Sequence, residues 1–162
     1  MTTTTKRETE IYADPNLPTV RISREFDATP DKVFRAWTEP ELFAQWIGPR
    51  GIGMRIEKYD ARTGGSYRYV HSDDDGEYGF YGSFHEVRAN ERIVQTFTFD
   101  GMPDGVSLSM ITFEDLGDGR TRLVSVDLLE SMEARDGMLA SGMEVGVREG
   151  YEKLDELLAS QT

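Results

Sequence analysis

The apolar positions change period along the chain, and each change marks an element. In VRISREFDA (20–28), Val20, Ile22 and Phe26 fall on alternate residues, the spacing of a strand with one buried face. In TPDKVFRAWT the spacing lengthens. Val33, Phe34 and Trp37 share one side of a helix, with Thr29 at the N-cap and Pro30 in the first turn. Thr38 and Glu41 have the spacing of a capping box for a second short helix, PELFAQWI, which must stop at Gly48-Pro49.

From Gly53 to Glu130 six strand signals follow one another: MRIEKYDA, SYRYVHS, EYGFYGSFHEVR, RIVQTFTF, VSLSMITFED and RTRLVSVDLLE. Short turns rich in Gly, Asp and Asn join them, which predicts an antiparallel meander. A long helix, Met138 to about Ala159, closes the chain. Leu139, Met143, Val147, Tyr151, Leu154 and Leu158 form its apolar stripe, and Glu144, Arg148, Glu152, Asp155 and Glu156 its wet side. Gly142, Gly146 and Gly150 lie along the stripe's edge, where they admit another backbone or leave room for a ligand.

A curved antiparallel sheet wrapped round the last helix buries that stripe, and the two short helices plug one end. A curved sheet and a straight cylinder fit imperfectly, so a cavity between them is expected. Residues 1–16 read as a polar, partly disordered lead-in, and residues 17–160 as a single domain.

Charge and composition narrow the function. The chain carries 30 acidic and 18 basic residues, a formal charge of −12, with no basic cluster to displace counterions from phosphates. Nucleic acid and membrane are therefore not expected as partners. No secretory signal or membrane-length apolar run is present, and with no cysteine there is no disulfide or thiolate chemistry, so a cytoplasmic location is expected. No nucleophile elbow, phosphate loop or dinucleotide fingerprint occurs, and two histidines cannot build a histidine-cluster metal site. Neither a cofactor nor a metal is expected.

REFDATPDKVFRAWTEPELFAQWIGP, YDARTGGSYRYV and YGSFHEVRANERIVQTFTF resemble the family named for the activator of the Hsp-ninety ATPase (the homologue family). That family sits within the START-like, pollen-allergen-like (SRPBCC) ligand-binding superfamily. The resemblance runs from Thr19 to the end of the C-terminal helix. Its most specific marks are Arg62-x-Gly64-Gly65, ERIVQT (91–96) and GDGRTRL before the last strand. It implies an α+β helix-grip fold: a curved antiparallel sheet of about seven strands around a long C-terminal helix, with two short helices after the first strand. It also implies a pocket. Members of the family include ligand binders and cyclase-like enzymes. The eukaryotic co-chaperone carries an additional N-terminal domain that engages the chaperone. With 162 residues taken up by one grip fold, a chaperone partner is not expected.

These readings converge on a binder of a small hydrophobic or aromatic molecule between sheet and C-terminal helix, with no established reaction. A cofactor-independent cyclase, dehydratase or isomerase is the first alternative, and a co-chaperone-like interaction module the second. A homodimer through a sheet edge or helix is compatible with the sequence. Alternation along the strands nominates Tyr67 with Tyr69, Phe80 with Phe84, and Phe97, with Met110 on the next strand, as lining. Met143, Val147 and Tyr151 face them from the helix. Trp37 and Trp46 are expected to seal one end, with Trp46 also at the pocket mouth. His71 and His85 are expected to be exposed or simply hydrogen-bonded, and Glu25, Asp27 and Asp127 to face solvent.

Overall fold

The structure, a computed structural model, describes residues 7–161. Four residues that the sequence pattern left in the polar lead-in form a strand, β1 (Glu10–Ala13), paired antiparallel with β2 (Thr19–Phe26). Residues 1–6 of that lead-in lie outside the described residues. Two short helices follow, α1 (Pro30–Thr38) and α2 (Pro40–Trp46). The meander then runs through β3 (Gly53–Tyr59), β4 (Ser66–Asp73), β5 (Gly76–Arg88), β6 (Arg92–Phe99), β7 (Ser107–Gly117) and β8 (Arg120–Leu128). All pair antiparallel in one eight-stranded sheet, ordered β1-β2-β8-β7-β6-β5-β4-β3. The count is one above the expected seven because β1 extends the edge.

The expected long C-terminal helix is two helices, α3 (Met132–Ala140) and α4 (Met143–Ala159). The break falls at Gly142, whose φ of 87° is left-handed. Ser141 and Gly142 thus end one helix and start the next, so Gly142 is a hinge of the backbone and not part of a packing stripe. Arg135 on α3 is buried and donates from one nitrogen to the carbonyls of Asp14, Leu17 and Thr19 at 2.9–3.1 Å. Those three bonds tie α3 to the loop between β1 and β2.

The α1–α2 end is the dry half of the molecule. Trp37 and Trp46 meet edge to face at 4.9 Å, and Phe43 packs on both. Trp46 is 1% exposed and donates its indole N–H to the Ala36 carbonyl at 2.8 Å. Tyr59 donates its hydroxyl to the Trp37 carbonyl, so β3 is pinned to the helix junction. Both indoles serve as a plug, and Trp46, expected also at the pocket mouth, is sealed inside it. The Thr38–Glu41 capping box does not form: Glu39 occupies the N-cap of α2, and the Thr38 hydroxyl donates back to the Phe34 carbonyl. Behind the plug, Gly150 of α4 lets the exit turn of α2 come close, since a Cβ there would lie 3.0 Å from the Trp46 carbonyl oxygen.

Candidate functional site

The sheet's register places side chains of five strands in one row on its inner face. Phe84 pairs with Gln95, Gln95 with Ser109, Ser109 with Asp127, and Asp127 with Val20. The two ends of this row are apolar and buried, but its middle is not apolar: an amide, a hydroxyl and a carboxyl stand side by side. Ser107 on β7 and Ser125 on β8 flank it. Successive residues of a strand face opposite ways, so these groups share parity with Ile93, Ile111 and Leu123, which are buried core.

The hydrogen bonds within the row have a direction. Ser109 donates to Asp127 Oδ1 at 2.6 Å, and Ser125 donates to the same oxygen at 3.4 Å. Gln95 donates from Nε2 to the Tyr67 hydroxyl at 3.4 Å, and that hydroxyl donates to the Thr96 carbonyl at 2.6 Å. Gly82 explains how Tyr67 reaches so far: a Cβ at that position would lie 2.7 Å from the tyrosine oxygen and against the Thr96 carbonyl. Gln95 Oε1 is buried with no partner. Burial raises the Asp127 pKa, although the two serine hydroxyls oppose the shift. Burial, then the nearby Asp127 charge, likewise raises the Tyr151 phenol.

The strand residues expected as lining, Met110 apart, share the inner face of the sheet with this polar row. Tyr67, Tyr69 and Phe84 are buried, and Tyr67 and Tyr69 stack at 6.1 Å. Phe80 and Phe97 stack at 5.4 Å and stay partly exposed, as do Met143 and Val147 on α4. Tyr151 is buried 5.5 Å from Phe26 and 6.1 Å from Trp46. Met110 is the exception. It alternates with buried Ser109 and Ile111, and its neighbours across the strands are Val94 and Val126 on the outer face. Ser109 holds the inner position that Met110 was expected to take.

The polar groups are the residues that pattern reading missed. Gln95, Ser109 and Asp127 look like surface residues one at a time, and Asp127 was expected to face solvent. The available signal was parity, since Gln95 and Ser109 lie two residues, and Asp127 four, from a core aliphatic in the same strand. Glu25 and Asp27 do face outward, where both accept from Arg7. His71 departs from expectation as well. It is 7% exposed, its Nε2 has no partner, and burial pushes its pKa down to about 4. Its ring packs between Tyr69 and Phe80 and against Gly48 of the α2 exit turn. His85 is exposed.

Among the described residues, no group of three or more His, Asp or Glu side chains could hold a metal ion, and no helix is long and apolar enough to cross a membrane. A groove of about 570 Å³ opens on the outer face beside Arg68, Tyr81, Thr98 and Val106, and its lining includes Tyr67, Gly82 and Thr96.

Residues 27–159 match the family model described as activator of Hsp90 ATPase homolog 1-like protein. Solved structures share the whole fold. A protein from Arthrobacter aurescens is 27% identical with a TM-score of 0.85, the match covering 94% of this chain and 92% of that one. One from Mycobacterium smegmatis is 25% identical with a TM-score of 0.85 over 95% and 98% of the two chains. A third, from Rhodobacter sphaeroides, is 28% identical with a TM-score of 0.82 over 96% and 100%. No curated protein matches the sequence.

Proposed function

We propose, for a chain that belongs to the activator of Hsp90 ATPase homolog 1-like family, that it binds a small apolar or aromatic molecule between the concave face of the sheet and α4. The family and fold are those of a ligand-binding superfamily, and the side chains of the inner face support this reading. Phe80, Phe97, Met143 and Val147 supply an apolar rim that is only partly buried. Tyr67, Tyr69 and Tyr151 supply aromatic walls, with Trp46 behind Tyr151. Affinity comes from burying the ligand's rings, and orientation from a few fixed polar groups.

The observation that carries this reading is the unpartnered Gln95 Oε1 in the middle of the inner face. A buried carbonyl oxygen without a hydrogen bond costs about 1–3 kcal/mol. An aliphatic side chain at the same point would remove that cost. A polar row retained under the helix, flanked by half-buried aromatics, fits a surface that something else completes.

Native mass spectrometry of the purified protein, paired with tryptophan fluorescence against apolar and aromatic compounds, tests the reading. A retained small molecule, or a saturable fluorescence change that Met143→Trp abolishes by filling the space, is the expected result. No bound mass and no response across the set, with the protein folded, would overturn it.

A further inference from the structure

We infer that the ligand presents hydrogen-bond donors to the polar row: it is a hydroxylated or amino-bearing ring compound, not a carboxylate. The inference rests on the binding reading above and adds the chemical class. It follows from counting which hydrogen-bonding atoms of the row are already engaged.

The hydroxyl donors of the row, and one of the two amide N–H donors of Gln95, have acceptors within the protein. Ser109 and Ser125 both give their protons to Asp127 Oδ1. Ser107 gives its proton to the Phe97 carbonyl, and Tyr67 to the Thr96 carbonyl. Gln95 Nε2 directs one N–H at the Tyr67 oxygen, and its second N–H has no acceptor among the described residues. The amide cannot be turned round to present both of its N–H bonds to a ligand. The Tyr67 proton is already directed at Thr96, so a flipped Gln95 would set two oxygens against each other with no hydrogen between them.

Besides that one N–H, what remains open is an acceptor at each end, so acceptors outnumber donors two to one. Gln95 Oε1 has no partner, and because both serines converge on Oδ1, Asp127 Oδ2 accepts from no described residue. The two residues are separated by one strand, so their backbones stand about 10 Å apart. That span suits a fused two-ring molecule with a donor at either end. The Tyr69 and Tyr151 hydroxyls can give or take and do not bias the choice. Arg24, the cation on the same face, is engaged by Asp155 at 2.5 Å, so no free cation of this row is left for an anionic ligand.

Three compounds on one skeleton separate the possibilities by isothermal titration calorimetry: naphthalene-2,6-diol, 2,6-dimethoxynaphthalene and naphthalene-2,6-dicarboxylate. The diol is expected to bind about tenfold or more tighter than the dimethoxy compound, as for a hydrogen bond to a charged or buried acceptor. The dicarboxylate is expected to bind weakest. Asp127→Asn keeps Oδ1 for both serines and places an N–H₂ where Oδ2 was, so the diol's advantage should collapse or reverse. A thermal melt of the variant verifies the fold. Equal binding of all three compounds would overturn donor selection while leaving the binding reading intact. A diol preference that survives Asp127→Asn would overturn the role of Asp127. Silence from all three, with the wild-type protein folded, would overturn both.

Discussion

Replacing His71 by leucine should flatten the pH dependence of stability between neutral and mildly acid conditions. The imidazole lies among Tyr69 and Phe80, its strand partner is Met54, and Gly48 covers it from the α2 exit turn. Among the described residues, the charge that bears on it is Lys153 of α4, which adds to burial in holding the ring neutral. Burial lowers its pKa from an ordinary 6.5 to about 4. As pH falls below 6.5 the unfolded chain takes up a proton that the folded chain refuses. Stability is therefore present above 6.5 and drains away as pH falls toward 4. A gap of roughly 2.5 at about 1.36 kcal/mol per pH unit amounts to about 3 kcal/mol.

Carboxylates titrate in the same range and must be subtracted. Asp31, Glu57 and Glu156 are held low by their hydrogen bonds and lose stability on acidification, whereas buried Asp127 is held high and gains it. All four are common to both proteins, so the difference between wild type and His71→Leu isolates the imidazole. Urea unfolding followed by tryptophan fluorescence at pH 7, 6, 5 and 4.5 measures it. The wild-type advantage should shrink by about 2–3 kcal/mol over that span. A difference that stays constant with pH would show that the ring is protonated inside the fold or reaches solvent, and would refute the reasoning.

Gly146→Ala should stabilise the protein by about 0.5–1 kcal/mol, because its Cβ would meet only Pro49 at an ordinary 3.5 Å, whereas Gly150→Ala should not, since its Cβ would press on the Trp46 carbonyl at 3.0 Å. Thermal melts of the two variants compare them directly, and equal gains would sink the close-approach account. Asp155→Asn strips the buried Arg24 of its anion and should cost about 2 kcal/mol, below the range for a fully buried pair because Asp155 is 38% exposed; chemical denaturation reads it, and no loss would mean water already serves Arg24. Gln95→Leu should raise the melting temperature by about 2–4 °C per kcal/mol gained and remove diol binding, while a lower melting temperature would make the amide a structural member of the core.

Where side-chain period and buried position agreed, the sequence was readable. The six meander strands, both short helices and the tryptophan plug all follow from it. It was opaque where the inner face is less apolar than the outer. In VSLSMITF, Leu108 and Met110 advertise the wrong face, because the inner positions are Ser107 and Ser109. Hydrophobicity marks the core only when the core excludes everything polar, and this one does not. The β1 strand was missed for a related reason: in EIYA its side chains are exposed or half-buried, so it carries no alternation strong enough to see. The break between α3 and α4 was hidden because the apolar stripe of Leu139 and Met143 continues across it, and only the backbone at Gly142 shows that the helix stops.

The two halves of the grip explain each other energetically. A fully buried aliphatic side chain contributes about 1.5–3 kcal/mol. By setting Gln95, Ser109 and Asp127 where three such side chains could stand, the sheet forgoes several kcal/mol, a large share of the 5–15 kcal/mol typical of a whole domain. The opposite end supplies compensation in its densest form: Trp37, Phe43, Trp46, Tyr59 and Tyr69 pack ring on ring, with centroids 4.8–6.1 Å apart. Edge-to-face pairs of this kind add about 0.5–1.5 kcal/mol each beyond the area they bury. The same cluster also fixes geometry, since Tyr69 belongs both to it and to the wall beside the polar row. A rigid plug that holds β3, β4 and α2 together lets the neighbouring inner face keep unpaired acceptors at set positions without collapsing onto them. Stability in the plug thus offsets the cost of an incompletely satisfied polar row in the neighbouring sheet face.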